Sequence, residues 1–206
     1  MVRHLISPVY DKESNMPVVG TFWNWLGDIP FYIADLLAFP EIYQTIQQLL
    51  KSGIRPLTGE EKHYAQLIFK DALDYDVIRM NGHARVGIHS KVIAYVTFNC
   101  IHFKNALSPE IFIHEMMHVW QFQNFGSLYL FRAMRAQLSH TVYDFGGIEN
   151  LYQKMLACKS LQDFNFEQQA EIIETYFLSV VKPEDFGSMD RQVLAYFAAC
   201  LQDRFG

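Results

Sequence analysis

The feature that most constrains this chain is an apolar run that carries three polar residues at helical spacing. Residues 111–121 read IFIHEMMHVWQ. Ser108 is a good N-cap before this run, Pro109 suits the first helical position, and Gly126 suits a C-terminal stop. The pattern therefore predicts one helix from about residue 108 to 126, with its polar groups on one side.

His114 and His118 are four residues apart, so on a helix they project side by side from adjacent turns. Two imidazoles placed in this way can hold one Zn²⁺, and Glu115 lies near enough to reach a water molecule without binding the metal itself. The spacing predicts two metal ligands and a general base. The alternative is a core helix whose histidines are satisfied internally, but burying an unpaired charge is costly.

A catalytic zinc ion takes three protein ligands and keeps one position open, so a third ligand must come from elsewhere in the chain. The metzincin continuation of the motif requires a glycine at position 121 and a histidine at position 124. Gln121 and Asn124 stand there instead, which excludes that group. The third ligand is therefore expected on a later segment.

Glu167, Glu171 and Glu174 form one stripe along a later predicted helix. Such like charges repel each other, and a solvated acidic edge is one explanation of the stripe. A nearby zinc ion and its histidines would turn this repulsion into attraction, with Glu167 as the ligand and Glu171 fixing a histidine ring. Glu167 is the preferred third ligand, and Glu171, His140 and Glu149 are the alternatives.

The rest of the pattern predicts one α+β domain over residues 1–206, mostly helical, with a small antiparallel sheet next to the histidine-bearing helix. Capping boxes at Thr58 with Glu61 and at Asn165 with Gln168 indicate two helix starts. Strands are predicted at 75–80, 85–90 and 92–103. Besides the helix at 108–126, helices are predicted near 59–73, 127–140, 147–158, 166–181 and 188–203.

Residues 17–50 are the most hydrophobic part of the chain. Asp28, Pro30, Asp35 and Pro40 interrupt this segment before 18 apolar residues accumulate, which argues against a transmembrane helix. The segment predicts short helices packed on the core, with contact to a membrane or a partner as the alternative.

The N-terminal residues and the charge balance bear on location and partners. The start of the chain lacks the apolar run of a signal peptide, so we expect synthesis in the cytoplasm without classical secretion. The chain has 17 basic and 22 acidic residues and no basic stripe, which makes nucleic acid an unsuitable partner.

These residues together resemble the gluzincins, the HExxH metallopeptidases whose third zinc ligand is a glutamate on a downstream helix. The segment Glu167-Gln168-Gln169-Ala170-Glu171 is similar to the ExxAD signature of one branch, in which the first acid binds zinc and the last supports a motif histidine. Glu171 stands where that signature has aspartate. The resemblance implies a zincin-like core over residues 55–180, preceded by an extension over residues 1–50, and Zn²⁺ as the cofactor.

Three segments in this order extend the resemblance: RPLTGEEKHYAQLIFKDALDYDVIRM, IHEMMHVWQFQ and FEQQAEIIETYF. They look like a bacterial group of zinc peptidases found near, or fused to, type VI secretion spike (VgrG) and Rhs-type proteins. The resemblance implies a zinc-dependent peptidase that is exported by a specialised secretion system as an effector or toxin. It also implies a peptide or protein substrate and a secretion-apparatus or immunity partner. A second hypothesis is a non-enzymatic adaptor that keeps a zincin fold for binding.

Overall fold

A computed structural model of the chain describes residues 53–83, 93–104, 106–126 and 144–201. The predicted N-terminal extension, the strand at 85–90, the helix at 127–140 and His140 lie outside the described residues. Within the described ranges the chain has a mixed α+β structure that is mostly helical, with a small sheet of four strands. The predicted α+β class is confirmed at this level.

Five α-helices lie within the described residues. They are α1 (Gly59–Phe69), α2 (Pro109–Phe125), α3 (Gly147–Leu156), α4 (Phe166–Val181) and α5 (Ser188–Ala198). Four short 3-10 helices lie at Tyr75–Val77, Leu161–Asp163, Pro183–Asp185 and Ala199–Leu201. None of the helices in these ranges is long and apolar enough to span a membrane.

The two predicted capping boxes are present at the starts of α1 and α4. At the start of α1, Thr58 Oγ1 accepts a hydrogen bond from the Glu61 amide at 3.2 Å, and Glu61 Oε2 accepts one from the Thr58 amide at 2.7 Å. Asn165 and Gln168 form the same reciprocal pair at the start of α4, at 2.9 and 3.2 Å. Helix α1 ends four residues earlier than predicted, because Lys70 adopts a positive φ of 45°.

The four strands are β1 (Ile54–Arg55), β2 (Arg79–Asn81), β3 (Ala94–Thr97) and β4 (Cys100–Phe103), in the spatial order β1-β2-β4-β3. The β1/β2 and β3/β4 pairs are antiparallel, but β2 and β4 are parallel. The prediction of an antiparallel sheet was therefore wrong. The sheet is mixed because β4 lies between β3 and β2 and runs in the same direction as β2.

The predicted strand at 92–103 is two strands joined by a tight turn, with Thr97 paired to Cys100. Phe98 in this turn has a φ of 57°, a conformation that glycine adopts far more readily. Two contacts with α2 hold the turn: the Phe98 ring lies 5.3 Å from the Phe122 ring, and Asn99 Oδ1 accepts a hydrogen bond from Gln123 Nε2 at 3.0 Å. Tertiary packing thus stabilises a turn that the local sequence does not predict.

The predicted strand at 75–80 is also shorter than expected. Asp74 Oδ1 accepts a hydrogen bond from the Asp76 amide at 3.1 Å and starts the 3-10 helix Tyr75–Val77. An aspartate that bonds the backbone two residues ahead favours a turn over a strand. Only the end of the predicted segment enters the sheet, as β2.

Helix α2 is the central element of the described structure, packed against α1, α4, β3 and β4. Ile113, Met116, Met117 and Val119 on this helix have no exposed surface. Burying side chains of this size contributes about 1.5–3 kcal/mol each. The apolar sides of α2 therefore fix the position of its histidines, which face α4.

Candidate metal centre

The three residues that the sequence proposes as metal ligands lie together between α2 and α4. The His114 and His118 rings are 5.1 Å apart and nearly perpendicular. Glu167, in the first turn of α4, places its Oε2 atom 3.3 Å from His118 Nε2 and 3.6 Å from His114 Nε2. The ligand atoms of all three residues lie within 4.8 Å of one another.

These atoms fit the requirements of a zinc ion. Tetrahedral coordination with bonds of about 2.0–2.1 Å places neighbouring ligand atoms roughly 3.3 Å apart. The two distances from Glu167 Oε2 to the histidine Nε2 atoms, 3.3 and 3.6 Å, are close to that separation. Two imidazole nitrogens and one carboxylate oxygen are also a donor set that Zn²⁺ accepts, with one position left for water.

The remaining ring nitrogen of each histidine faces an acceptor. Glu174 Oε2 lies 3.0 Å from His114 Nδ1, and Gln121 Oε1 lies 2.9 Å from His118 Nδ1. An acceptor at Nδ1 favours a proton on that atom and leaves Nε2 for the metal. The sequence assigned support of a histidine ring to Glu171, but Glu171 Oε2 lies 3.9 Å from His114 Nδ1, beyond hydrogen-bonding distance.

Glu115, the proposed general base, lies between the two histidines in sequence and is 6% exposed. Its Oε2 atom has no hydrogen-bond partner among the described residues. Burial raises the pKa of Glu115, and the nearby charges of His118 and His114 oppose this rise. A carboxylate with a raised pKa is better matched to accept and return a proton near neutral pH.

The pKa values of the proposed ligands are shifted by different causes from that of Glu115. Burial acts to lower the pKa of His114, but the neighbouring carboxylates of Glu167 and Glu174 raise it to about 10. Burial acts to raise the pKa of Glu167, but the interactions with His114 and His118 hold it well below its usual range. Glu167 is therefore anionic at neutral pH, and the negative charge that favours a proton on His114 also favours a cation at this position.

Of the alternative ligands within the described residues, Glu171 joins His114 and Glu174 in a second possible metal group, and Glu149 joins neither group. Glu149 is exposed on α3 and accepts a hydrogen bond from Gln153 Nε2 at 3.1 Å. Two residues that contact the histidines were not assigned that role from the sequence, namely Gln121 and Glu174. The available signal was spacing: Gln121 is three residues after His118, and position 174 is seven residues, or about two turns, after position 167.

Comparisons with known proteins give a relative in sequence and a relative in structure. No protein-family model matches the chain. The type VI secretion system spike protein VgrG2b of Pseudomonas aeruginosa is 28% identical over an alignment 136 residues long, and the alignment covers 60% of this chain and 13% of VgrG2b. A solved structure, the effector domain of P. aeruginosa VgrG2b, is 22% identical with a TM-score of 0.48, covering 80% of this chain and 97% of that one. The sequence similarity links the chain to a small part of a type VI secretion spike protein.

Proposed function

We propose that this chain is a zinc-dependent peptidase that acts as a secreted effector. The observation that carries the proposal is the meeting of His114 Nε2, His118 Nε2 and Glu167 Oε2, from two helices, beside the buried carboxylate of Glu115. A structural zinc site would close the fourth position with another protein ligand. Among the described residues the group contains three ligands, which supports a catalytic site.

Each residue has a distinct role in this proposal. His114, His118 and Glu167 would hold the metal, and a bound zinc ion would supply polarisation of the scissile carbonyl and a stronger water nucleophile at neutral pH. Glu115 takes a proton from the attacking water and delivers it to the leaving amine nitrogen. The raised pKa of Glu115 suits both halves of this transfer.

The secretion part of the proposal is supported by the similarity to VgrG2b. A spike protein belongs to an export apparatus, so a chain related to part of it is expected to leave the cell by the same route. The substrate is then a peptide or protein outside the producing cell, and a secretion-apparatus component or an immunity protein is the expected partner.

Metal analysis and hydrolysis assays on purified protein test the enzymatic part. We expect about one zinc ion per chain, lost in His114→Ala, when the protein is prepared without chelators. Glu115→Gln should keep the zinc but lower cleavage of a peptide library at least 100-fold, because a general base contributes about 10²–10⁴-fold. Zinc-free wild-type protein, or unchanged cleavage by Glu115→Gln, would contradict the proposal.

The same variant separates the peptidase from the non-enzymatic adaptor. An adaptor needs the fold but not the base, so its biological effect should survive Glu115→Gln. Toxicity or partner binding that is equal in the wild type and in this variant, with no cleavage by either, would favour the adaptor.

A further inference from the structure

A buried chain of amide groups joins α2 to the start of α4. Gln121 has no exposed surface, and Gln169 is 5% exposed. Gln121 Oε1 faces His118 Nδ1 at 2.9 Å, while its Nε2 atom donates to the Phe166 carbonyl and to Gln169 Oε1, both at 3.0 Å. Gln169 Nε2 in turn donates to the Phe164 carbonyl at 2.9 Å.

The partners leave only one orientation for each amide. A backbone carbonyl can accept a hydrogen bond but cannot donate one, so the nitrogen of Gln169 must face Phe164 and its oxygen must face Gln121. The nitrogen of Gln121 must likewise face the Phe166 carbonyl. Both amide hydrogens of Gln121 are then used, and its oxygen is the atom that faces His118.

This orientation determines which atom of His118 is available to a metal. Gln121 Oε1 accepts only, so His118 Nδ1 must carry a proton. The other ring nitrogen, Nε2, is the atom that faces Glu167. The amide that orients His118 also bonds to Phe166, the residue directly before Glu167.

We infer that Gln121 is a positioning residue that keeps a proton on His118 Nδ1 and ties the first turn of α4 to α2, so that two metal ligands from different helices meet. This inference rests on the proposed metal centre for the roles of His118 and Glu167. Removing such a supporting partner typically lowers metal affinity 10- to 100-fold.

A matched control is needed, because a buried amide also stabilises the fold. Gln123 lies on the same helix and bonds in a similar way: its Nε2 donates to the Asp74 carbonyl at 3.2 Å and to Asn99 Oδ1 at 3.0 Å, and its Oε1 accepts from the Asp74 amide at 2.8 Å. These partners lie on the sheet side of α2, and none of them is a proposed metal ligand. Gln123 therefore reports the effect of losing an amide that anchors α2 to neighbouring loops, without contact with His118.

The first experiment compares Gln121→Met and Gln123→Met in the full chain, because methionine has a similar length and lacks the amide. Both variants should unfold at lower urea concentration. Only Gln121→Met should lower zinc affinity, by about 10- to 100-fold, in competition with a chromophoric chelator. Equal changes of zinc affinity in the two variants, or none in Gln121→Met, would overturn the inference.

A second measurement uses wild-type protein and no metal. In protein labelled with ¹⁵N at histidine, His118 is assigned by the signals that His118→Ala loses. We expect a directly bonded proton on Nδ1 at neutral pH that exchanges slowly with solvent, and an unprotonated Nδ1 would overturn the inference. A wild type that carries this proton but binds no zinc would support the amide arrangement and contradict the proposed function, so the two failures are distinguishable.

Discussion

Glu167 is 3% exposed and His118 is 5% exposed, so both polar groups are largely removed from water. Removing charged groups from water costs several kcal/mol for each ion, and their mutual attraction recovers this cost only with good geometry. Buried ion pairs can often be replaced by apolar residues without loss of stability. Retaining a buried charged cluster here in place of apolar residues is therefore consistent with a role in chemistry.

The distances around His114 predict which neighbouring carboxylate affects zinc binding. Glu174 is hydrogen-bonded to His114 Nδ1 and Glu171 is not, so Glu174→Leu should lower zinc affinity about 10- to 100-fold. Glu174→Gln keeps an acceptor at this position and should cause a smaller loss. Chelator competition on each purified variant measures the effect. Glu171→Gln is the control, and a loss in it as large as that in Glu174→Leu would contradict the assignment.

The elements that could be predicted from sequence are those whose signals are local. Helix α4 begins where the Asn165 capping box indicates, and α2 ends at Gly126, which has a φ of 66°. The β3/β4 turn could not be predicted, because Phe98 takes a conformation that glycine adopts more readily and the turn is held by contacts with α2. The parallel pairing of β2 with β4 likewise depends on contacts between distant parts of the chain.

The candidate site likewise contains some residues that local sequence patterns predict and others that depend on tertiary packing. The helical repeat placed His114 and His118 side by side, and the acid stripe indicated Glu167. The partners of the histidine rings depend on how α2 packs against α4, which spacing within either helix does not determine. The contacts of Gln121 and Glu174 with the histidine rings therefore could not be predicted from the sequence of either helix alone.

Two helix caps provide a test of the link between α4 and the metal centre. Asn165→Ala and Thr58→Ala each remove a side-chain cap and should each lower the free energy of unfolding by about 1 kcal/mol. Only Asn165→Ala should also weaken zinc binding, because the first turn of α4 carries Glu167. Urea unfolding and zinc titration of both variants check this pair. An equal loss of zinc affinity in Thr58→Ala would point to general destabilisation instead.

The proposed metal ligands connect α2 and α4, two of the main helices around the hydrophobic core. The chain has a formal net charge of -5, and four glutamates lie at or beside the site, namely Glu115, Glu167, Glu171 and Glu174. Such a concentration of negative charge attracts cations to the site between α2 and α4. A cation bound there would hold the two helices together.

Zinc should therefore stabilise the folded chain. A ligand present at about 1,000 times its Kd adds about 4 kcal/mol to the free energy of unfolding. For a protein of this size we expect this gain to raise Tm by roughly 10 °C. Thermal unfolding with and without zinc measures the shift, which should be absent in His118→Ala and retained in His63→Ala, a change at an exposed histidine of α1. An equal shift in His118→Ala would place the stabilising zinc elsewhere.

The reciprocal cap at the start of α4 also determines where the chain can change length. The cap at Asn165 starts α4 whatever the length of the segment before it, so residues can be inserted or deleted between α3 and the 3-10 helix Leu161–Asp163 without rotating α4. One residue inserted between Asn165 and Glu167 would turn the glutamate by about 100° around the helix axis, away from His118. Natural variation in length should therefore be found before this cap and not within the two residues after it.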